Sequence, residues 1–195
     1  MSTHNSPVHI LGISGSLRKG SFNSGLLRAA REVLPAGMDL EIADIADIAD
    51  IPLYNGDVEL SAYPEPAARL KERIAAADAL LFSTPEYNYS IPGVLKNAID
   101  WVSRPPQQSP LSGKPIAIMG AGARLGTGRA QYHLRQVSVF TNMLPINKPE
   151  LLVMNAAEKF DGNGNLKDES IKEQLAALLA ALATWVRRLR GEQVG

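Results

Sequence analysis

Cysteine is absent from this sequence of 195 residues. Its absence excludes disulfides, thiol nucleophiles, thiolate zinc sites and cysteine-held iron–sulfur clusters. An excess of charge of one sign is also missing, because 20 Lys and Arg residues balance 20 Asp and Glu residues. A nucleic-acid-binding protein normally carries a basic excess or stripe, so no nucleic-acid partner is expected.

Long hydrophobic runs are missing as well. The first residues, MSTHNSP, contain no apolar signal region. No stretch approaches the roughly 18 apolar residues that a membrane span requires. We therefore expect no membrane association and a cytoplasmic location. The length suits one domain and no linker-like segment divides the chain, so residues 1–195 are predicted to form a single domain.

Short apolar runs alternate with helical patterns along the chain. Strands are predicted at residues 8–14, 39–43, 78–84, 114–119 and 150–154, and helices at residues 23–34, 66–76, 92–103, 130–142 and 171–189. This alternation is typical of an α/β fold. We predict a flavodoxin-like, doubly wound sheet of five parallel strands in the order 2-1-3-4-5, with helices on both faces.

Three copies of Ile-Ala-Asp follow the second predicted strand, in residues 42–50. A period of three residues fits neither a helix nor a strand, so a loop with at most one short turn is expected. Its aspartates could be metal ligands, but solvated carboxylates are the favoured interpretation, and no metal site is predicted.

The loop after the first strand is dense in hydrogen-bond donors. Its glycines allow tight backbone paths with exposed N–H groups, and the next helix adds its positive end. Arg18 carries a planar fork suited to phosphate, and neutral donors come from Ser14, Ser16, Ser21 and Asn23. The pattern indicates a phosphate site. The alternative is a polar loop that caps a helix, with Ser21 or Asn23 as the N-cap.

Two nucleotide-binding motifs are absent from this loop. The Walker pattern GxxxxGK[ST] fails because Ser21 and Phe22 follow Gly20, which argues against ATP. The dinucleotide pattern GxGxxG fails as well. A second stretch, STPEYNYSIPGVLKNAIDW, begins at the end of the third strand and places polar groups between two prolines. Such a loop suits a planar heteroaromatic ring. A phosphate site beside a ring site matches the shape of FMN.

The motifs GSLRKGSFN and PEYNYSIPGVLKNAIDW resemble the NAD(P)H-dependent FMN reductase family, and most closely its quinone, chromate and azo-dye reductase branch. The resemblance extends to GARLGTGRAQYHLRQ and NKPE. It implies that the FMN phosphate lies on the first loop, at Ser14, Gly15, Ser16, Arg18, Ser21, Phe22 and Asn23. It implies a ring pocket built from Pro85, Glu86, Tyr87 and Asn88 and from the turn Ala121–Gly126, including Gly122, Ala123 and Arg124.

The resemblance also implies an activity. NADPH or NADH would reduce bound FMN, and quinones, chromate, azo compounds or other flavins would accept the electrons in a ping-pong scheme. No catalytic side chain is assigned, because the cofactor carries the chemistry. The family implies a homodimer or homotetramer. Two other functions remain open: a non-enzymatic FMN electron carrier, which the zero net charge disfavours, and a nucleotide-sensing module.

Several side chains have competing interpretations. For Glu86, a solvated carboxylate that contributes its backbone is favoured over a general acid. His133 is expected on a helix surface or interface, Trp101 in the core or an interface, and Tyr87 and Tyr89 at the ring rather than in ordinary packing. Two sets of residues remain open. Lys19 and Arg124 could attract the extra phosphate of NADPH or be solvated. Contacts between subunits, or pairs within the chain, could be formed by Arg129, Tyr132 and Glu150.

Overall fold

A parallel sheet with helices on both faces forms the computed structural model, which describes residues 7–43 and 45–192. Asp44, one of the aspartates of the Ile-Ala-Asp repeat, lies outside this part. The strands are β1 (Val8–Ser14), β2 (Met38–Ile42), β3 (Ala79–Ser83), β4 (Pro115–Ala121), β5 (Leu144–Pro145) and β6 (Leu151–Val153). The helices are α1 (Phe22–Glu32), α2 (Ile45–Ala49), α3 (Gly56–Ser61), α4 (Glu65–Ala76), α5 (Gly93–Val102), α6 (Gly128–Thr141), α7 (Ala156–Lys159) and α8 (Glu169–Leu189).

The predicted strand order is confirmed, with the last strand divided in two. The order is β2-β1-β3-β4, and both β5 and β6 pair in parallel with β4. β5 lies beside Pro115 and Ile116, whereas β6 lies beside the segment from Met119 to Ala121. Between the two stands Pro149. A proline lacks the N–H that a strand donates to its neighbour, which accounts for an edge strand interrupted at this point.

The core has two layers, one on each face of the sheet. On one face Ile10, Leu81 and Met119 pack with α1 and α8. On the other face Leu11 and Phe82 pack with α4 and α5. Because helices cover both faces, the strands read as continuous apolar runs rather than as alternating patterns. Trp101 is fully buried in the second layer, and its Nε1 donates to the carbonyl of Pro52 at 2.8 Å.

Two short helices were not predicted from the sequence, and one loop differs from the prediction. No residue of α3 is buried, so it has no apolar stripe, and α7 has too few residues to show a helical period. The Ile-Ala-Asp loop contains α2. Asp47 forms an ion pair with Arg73 and is not the solvated carboxylate expected. Among the described helices, none combines the length and apolar character needed to cross a bilayer.

Candidate functional site

A cavity of about 850 Å³ opens where the strands reach their carboxyl ends. Small-molecule sites in proteins usually measure about 300–1,000 Å³. Its walls are the loops that follow β1, β3, β4 and β6. The strand order reverses between β1 and β3, which is the place where open parallel sheets bind ligands. The sheet topology therefore accounts for the position of this cavity.

Most of the predicted site residues line the cavity together. They are Ser16, Arg18, Ser21, Phe22, Asn23, Pro85, Glu86, Tyr87, Ala121, Gly122, Ala123 and Arg124. The other lining residues are Tyr89, Leu125, Gly126, Arg129, Asn155, Ala156, Ala157 and Glu158. Sequence reasoning missed the last four entirely. No motif marks them, and the one available signal was that they follow the carboxyl end of the last strand.

Ser14, Gly15 and Asn88 do not line the cavity. The Ser14 hydroxyl lies 3.0 Å from the Ser24 hydroxyl and accepts the Ser16 N–H at 3.3 Å, so it stabilises the loop through hydrogen bonds within it and to α1. The Gly15 N–H donates to the Ser83 carbonyl, which ties the loop to β3. Direct contact of these three residues with a cofactor stays a prediction.

The first loop ends in an N-cap at Ser21. Its hydroxyl accepts the N–H groups of Asn23 and Ser24 at 3.2 and 3.4 Å. Within the described part of the chain, the N–H groups of Gly20 and Phe22 make no hydrogen bond. The Phe22 N–H, the positive end of α1 and Arg18 line the cavity, whereas Gly20 does not. Such a combination favours a bound anion.

Asn23 has a different role from the free donor expected. Its side-chain Nδ2 donates to the Ala121 carbonyl at 3.0 Å. Its Oδ1 accepts the Ala121 N–H at 2.9 Å and the Ser83 hydroxyl at 3.2 Å. The buried amide therefore joins the start of α1 to the ends of β3 and β4. It holds two walls of the cavity together.

The carboxylate of Glu86 is also not solvated as expected, since 13% of its side chain is exposed. Oε1 accepts the Arg129 Nε–H at 2.8 Å, and Oε2 accepts the backbone N–H groups of Arg129 and Ala130 at 2.9 and 3.3 Å. Thr127, the N-cap residue of α6, makes no side-chain cap hydrogen bond. Glu86 supplies that cap from another loop.

A tight turn links Tyr87 to Ser90 beside this ion pair. The two residues exchange backbone hydrogen bonds of 3.0 Å, and Asn88 and Tyr89 have positive φ angles of 50° and 65°. The guanidinium of Arg129 lies 3.5 Å above the centre of the Tyr89 ring. His133 Nδ1 lies 2.9 Å from the Ser90 hydroxyl. The turn is therefore attached to α6 at both of its sides.

The turn after β4 approaches its own backbone closely. A Cβ atom at Gly122 would lie 2.2 Å from the Gly126 carbonyl oxygen, so a larger residue does not fit. The Asn155 N–H donates to the Ala123 carbonyl and the Ala156 N–H to the Gly122 carbonyl, at 3.0 and 2.9 Å. These bonds bring the loop after β6 to the cavity.

Glu150 and Tyr132 interact within the chain. The Lys148 ammonium, 3.0 Å from the Glu150 carboxylate, lowers the pKa of that carboxyl group, and a hydrogen bond from the Tyr132 hydroxyl lowers it further. Arg129 pairs with Glu86 instead. Within the chain Glu150 thus pairs with Lys148 and Arg129 with Glu86, and the contact between subunits stays a prediction.

Comparison with known proteins agrees with this geometry. The family model of NADPH-dependent FMN reductase matches residues 8–158. The chain belongs to the NADPH-dependent FMN reductase family. It is 57% identical over 185 residues to an NAD(P)H-dependent FMN reductase of Pseudomonas aeruginosa, covering 94% of this chain and 98% of the relative. It is 45% identical over 192 residues to an NAD(P)H:quinone oxidoreductase of Solanum tuberosum, covering 95% and 96%.

A solved structure shows the same fold. It is FerB of Paracoccus denitrificans, described as a flavoenzyme NAD(P)H:(acceptor) oxidoreductase. The TM-score is 0.82 at 34% identity, and the match covers 92% of this chain and 97% of FerB. The predicted fold, family, enzymatic nature, FMN cofactor and pyridine-nucleotide donor are thereby confirmed.

The residues present fit FMN. The Phe22 N–H, the hydroxyls of Ser16 and Ser21 and the Arg18 guanidinium come from the loop after β1 and suit a phosphate monoester. Backbone turns framed by Pro85 and by Gly122 follow β3 and β4 and suit the edge and faces of a flat ring. All of these segments line one continuous cavity of sufficient volume.

Proposed function

We propose that this protein is an FMN-dependent NAD(P)H:quinone oxidoreductase. The observation that carries the proposal is the single cavity in which an anion-binding helix start and two backbone turns face one another. The names of the relatives from Solanum tuberosum and Paracoccus denitrificans support quinones, or acceptors in general, as electron acceptors. In the overall reaction NAD(P)H and one proton convert a quinone to its hydroquinone and leave NAD(P)⁺.

The first loop holds the phosphate in this proposal. The hydroxyls of Ser16 and Ser21, the Arg18 guanidinium and the Phe22 N–H donate to its oxygens, supported by their common position at the start of α1. Such a charge-assisted set anchors one end of the cofactor and leaves the other end to be oriented by the ring pocket. Asn23 acts indirectly, because its side chain joins the walls.

The ring pocket is formed by the turns after β3 and β4. When bound, FMN supplies the chemistry by accepting a hydride from the nicotinamide and delivering two electrons to the acceptor. Within the described part of the chain, the backbone N–H groups of Glu86, Ala123 and Arg124 make no hydrogen bond, and such donors favour the negative charge of a reduced ring. No general acid or base is assigned. Glu86 is engaged by Arg129 and the start of α6, so its carboxylate is a structural group.

Other expectations from the sequence remain part of the proposal. Azo compounds and free flavins are further candidate acceptors, because an open slot takes many planar oxidants, and the family resemblance adds chromate. Lys19 and Arg124 are candidate contacts for the extra phosphate of NADPH. A cytoplasmic location also stays a prediction. None of these is required for the quinone reaction.

The protein assembles as a homodimer or homotetramer in this proposal. Support comes from α6, where the side chains of Tyr132, Val139 and Phe140 are exposed, at 58%, 84% and 75%. Large apolar side chains grouped on one helix commonly mark an association surface. Light scattering on the purified protein measures the assembly, and a monomer at working concentration would contradict this part.

Anaerobic stopped-flow absorbance tests the proposed function. Purified protein loaded with FMN is mixed with NADPH or NADH, and then with a quinone. The flavin colour should bleach within seconds and return on mixing with the quinone, with hydroquinone formed in equal amount to the nucleotide oxidised. Failure of both nucleotides to bleach the flavin would reject the oxidoreductase. Bleaching without reoxidation by quinones would reject the acceptor class alone.

A further inference from the structure

A short hairpin follows the cavity wall at residues 155–158, and we call it the 159–167 hairpin. Phe160 and Leu166 are buried and pair as an antiparallel bridge between its two arms. At its tip the Asp161 N–H donates to the Asn165 carbonyl at 2.9 Å, and Asp161 Oδ1 accepts the Asn165 N–H at 2.8 Å. Internal hydrogen bonds therefore define the shape of this hairpin.

One side of α1 packs against the hairpin. The ring centres of Phe22 and Phe160 lie 4.9 Å apart. A Cβ atom at Gly25 would lie 2.1 Å from the Gly164 carbonyl oxygen, so this close approach requires glycine. The Arg28 Nη2 donates to the same Gly164 carbonyl at 2.8 Å. Phe22, Gly25 and Arg28 follow one another at intervals of three residues, so they lie on one side of the helix.

The Arg28 guanidinium is the polar connection between α1 and the hairpin. Besides its bond to Gly164, its Nη2 and Nε donate to Asn165 Oδ1 at 3.2 and 3.3 Å. A guanidinium holds its donors in a rigid planar fork, which a lysine ammonium lacks. Two acceptors on neighbouring residues therefore fix how the hairpin lies on α1.

The tip of the hairpin also reaches the first loop. A Cβ atom at Gly164 would lie 3.6 Å from the Gly20 carbonyl oxygen, which is ordinary van der Waals contact. Residues 17–20 are exposed, and in the part of the chain that the structure describes, the N–H groups of Lys19 and Gly20 make no hydrogen bond. A loop with few bonds of its own depends on neighbouring segments for its conformation.

The cavity wall that precedes the hairpin is attached independently of Arg28. The segment 155–158 lines the cavity. Its Asn155 and Ala156 N–H groups donate to the carbonyls of Ala123 and Gly122, in the turn after β4. Loss of the Arg28 bonds leaves these attachments in place. The effect of that loss should therefore be confined to the first loop.

We propose that the 159–167 hairpin positions the first loop for the phosphate of the cofactor, and that Arg28 is the positioning residue that docks the hairpin on α1. Arg28 does not line the cavity and acts through Gly20 and its neighbours. Phosphate binding and hairpin docking strengthen one another, because coupling between two sites is reciprocal. The inference rests on the proposed function, in which the first loop binds the FMN phosphate.

Two flavins that differ only in the phosphate test the proposal. The cofactor-free wild type and its Arg28→Gln variant are titrated with FMN and with riboflavin, and flavin fluorescence reports binding. The variant should lose about fivefold in affinity for FMN, the lower end of typical coupling between sites. Its affinity for riboflavin should change by less than about twofold. A general structural defect would weaken the binding of both flavins equally.

Controls separate the position of Arg28 from its charge and from folding. Arg31→Gln removes the same charge from an exposed position in the last turn of α1 and should alter neither affinity. Arg28→Lys keeps the charge but loses the planar fork, and should weaken FMN binding about as much as Arg28→Gln. Asn165→Ala removes one acceptor and should weaken FMN binding alone. It replaces Arg28→Gln if that variant does not fold.

Hydrogen exchange supplies a readout on the hairpin itself. In the wild type, FMN should protect the amides of residues 159–167 more than riboflavin does, and Arg28→Gln should abolish this difference. Equal protection by the two flavins, equal losses of both affinities, or full FMN affinity in Arg28→Gln or Arg28→Lys would overturn the proposal. Equal affinity of the wild type for FMN and riboflavin would instead reject the phosphate site of the proposed function, and this inference with it.

Discussion

At the scale of single residues, the sequence predicts that the Asn23 side chain forms hydrogen bonds but does not predict its partners. The residue type and its place after Ser21 predict a hydrogen-bonding role, which the structure contains. Its partners, however, are Ala121 and Ser83, which belong to other strands. The direction of a side chain depends on which strands the topology brings beside it. The pattern therefore predicts the chemistry of Asn23 better than its partner.

Replacing this side chain should destabilise the protein. In Asn23→Ala the buried N–H and carbonyl of Ala121 lose their partners, and each unsatisfied buried group costs about 1–3 kcal/mol. We expect the free energy of unfolding to fall by about 2–4 kcal/mol, measured by urea denaturation of the FMN-free protein. Asn163→Ala, at an exposed loop position, should change it by less than about 0.5 kcal/mol. Similar effects of the two substitutions would contradict the assigned role.

Gly120 is a second residue whose identity follows from close contact. A Cβ atom there would lie 1.9 Å from Thr127 Oγ1 and 2.4 Å from the Thr84 carbonyl oxygen. Gly120→Ala should lower the free energy of unfolding by about 1–3 kcal/mol, because the backbone at the end of β4 must move. At Gly128, the first residue of α6, a Cβ meets no atom within 4 Å. Gly128→Ala should be neutral or stabilising by up to about 1 kcal/mol in the same urea experiment, and an equal loss in both variants would refute the packing explanation.

At the scale of elements, the long helices were predicted and the short ones were not. α1, α4, α5 and α8 each bury an apolar stripe, and a stripe is visible in sequence as a helical period. α3 has no fully buried residue and α7 has four residues, so their residues carry no such period. Their positions depend on caps and on tertiary bonds, such as the hydrogen bond from Asn155 to Ala123.

The junction of α7 and α8 should depend on pH. Asp168 is the N-cap of α8, and its carboxylate accepts a hydrogen bond from the Lys159 ammonium of α7 at 2.6 Å. The Lys159 ammonium and the Ser170 hydroxyl together strongly lower the pKa of the Asp168 carboxyl group. Unfolding restores the ordinary pKa of about 3.9, so the stabilisation is present above about pH 4 and is lost as the pH falls through the folded pKa.

Asp168→Asn keeps a cap residue but removes this charge. The thermal midpoint of the variant should be lower than that of the wild type at neutral pH. The difference should shrink as the pH is lowered below about 4, which calorimetry across pH measures. Asp57→Asn, on exposed α3, serves as the matched control. A difference that is constant with pH would contradict the ionic explanation.

At the scale of the whole molecule, the sheet order and the cavity position follow from general rules. Strands covered on both faces are apolar throughout, right-handed crossovers restrict the order, and ligands bind where the order reverses. The loops after β1, β3 and β4 were therefore assigned from sequence. The segment 155–158, which contains the start of α7, and the pairing of Glu86 with Arg129 were not assigned from sequence, since both result from contacts between distant segments.

The central claim is that the cavity holds FMN with its phosphate at the start of α1. Titration of the cofactor-free protein with FMN and with riboflavin, which lacks the phosphate, tests it most directly. The wild type should bind FMN far more tightly than riboflavin, and Arg18→Ala should lose at least about tenfold in FMN affinity with little change for riboflavin. Equal affinity of the wild type for the two flavins, or unchanged FMN affinity in the variant, would contradict the account.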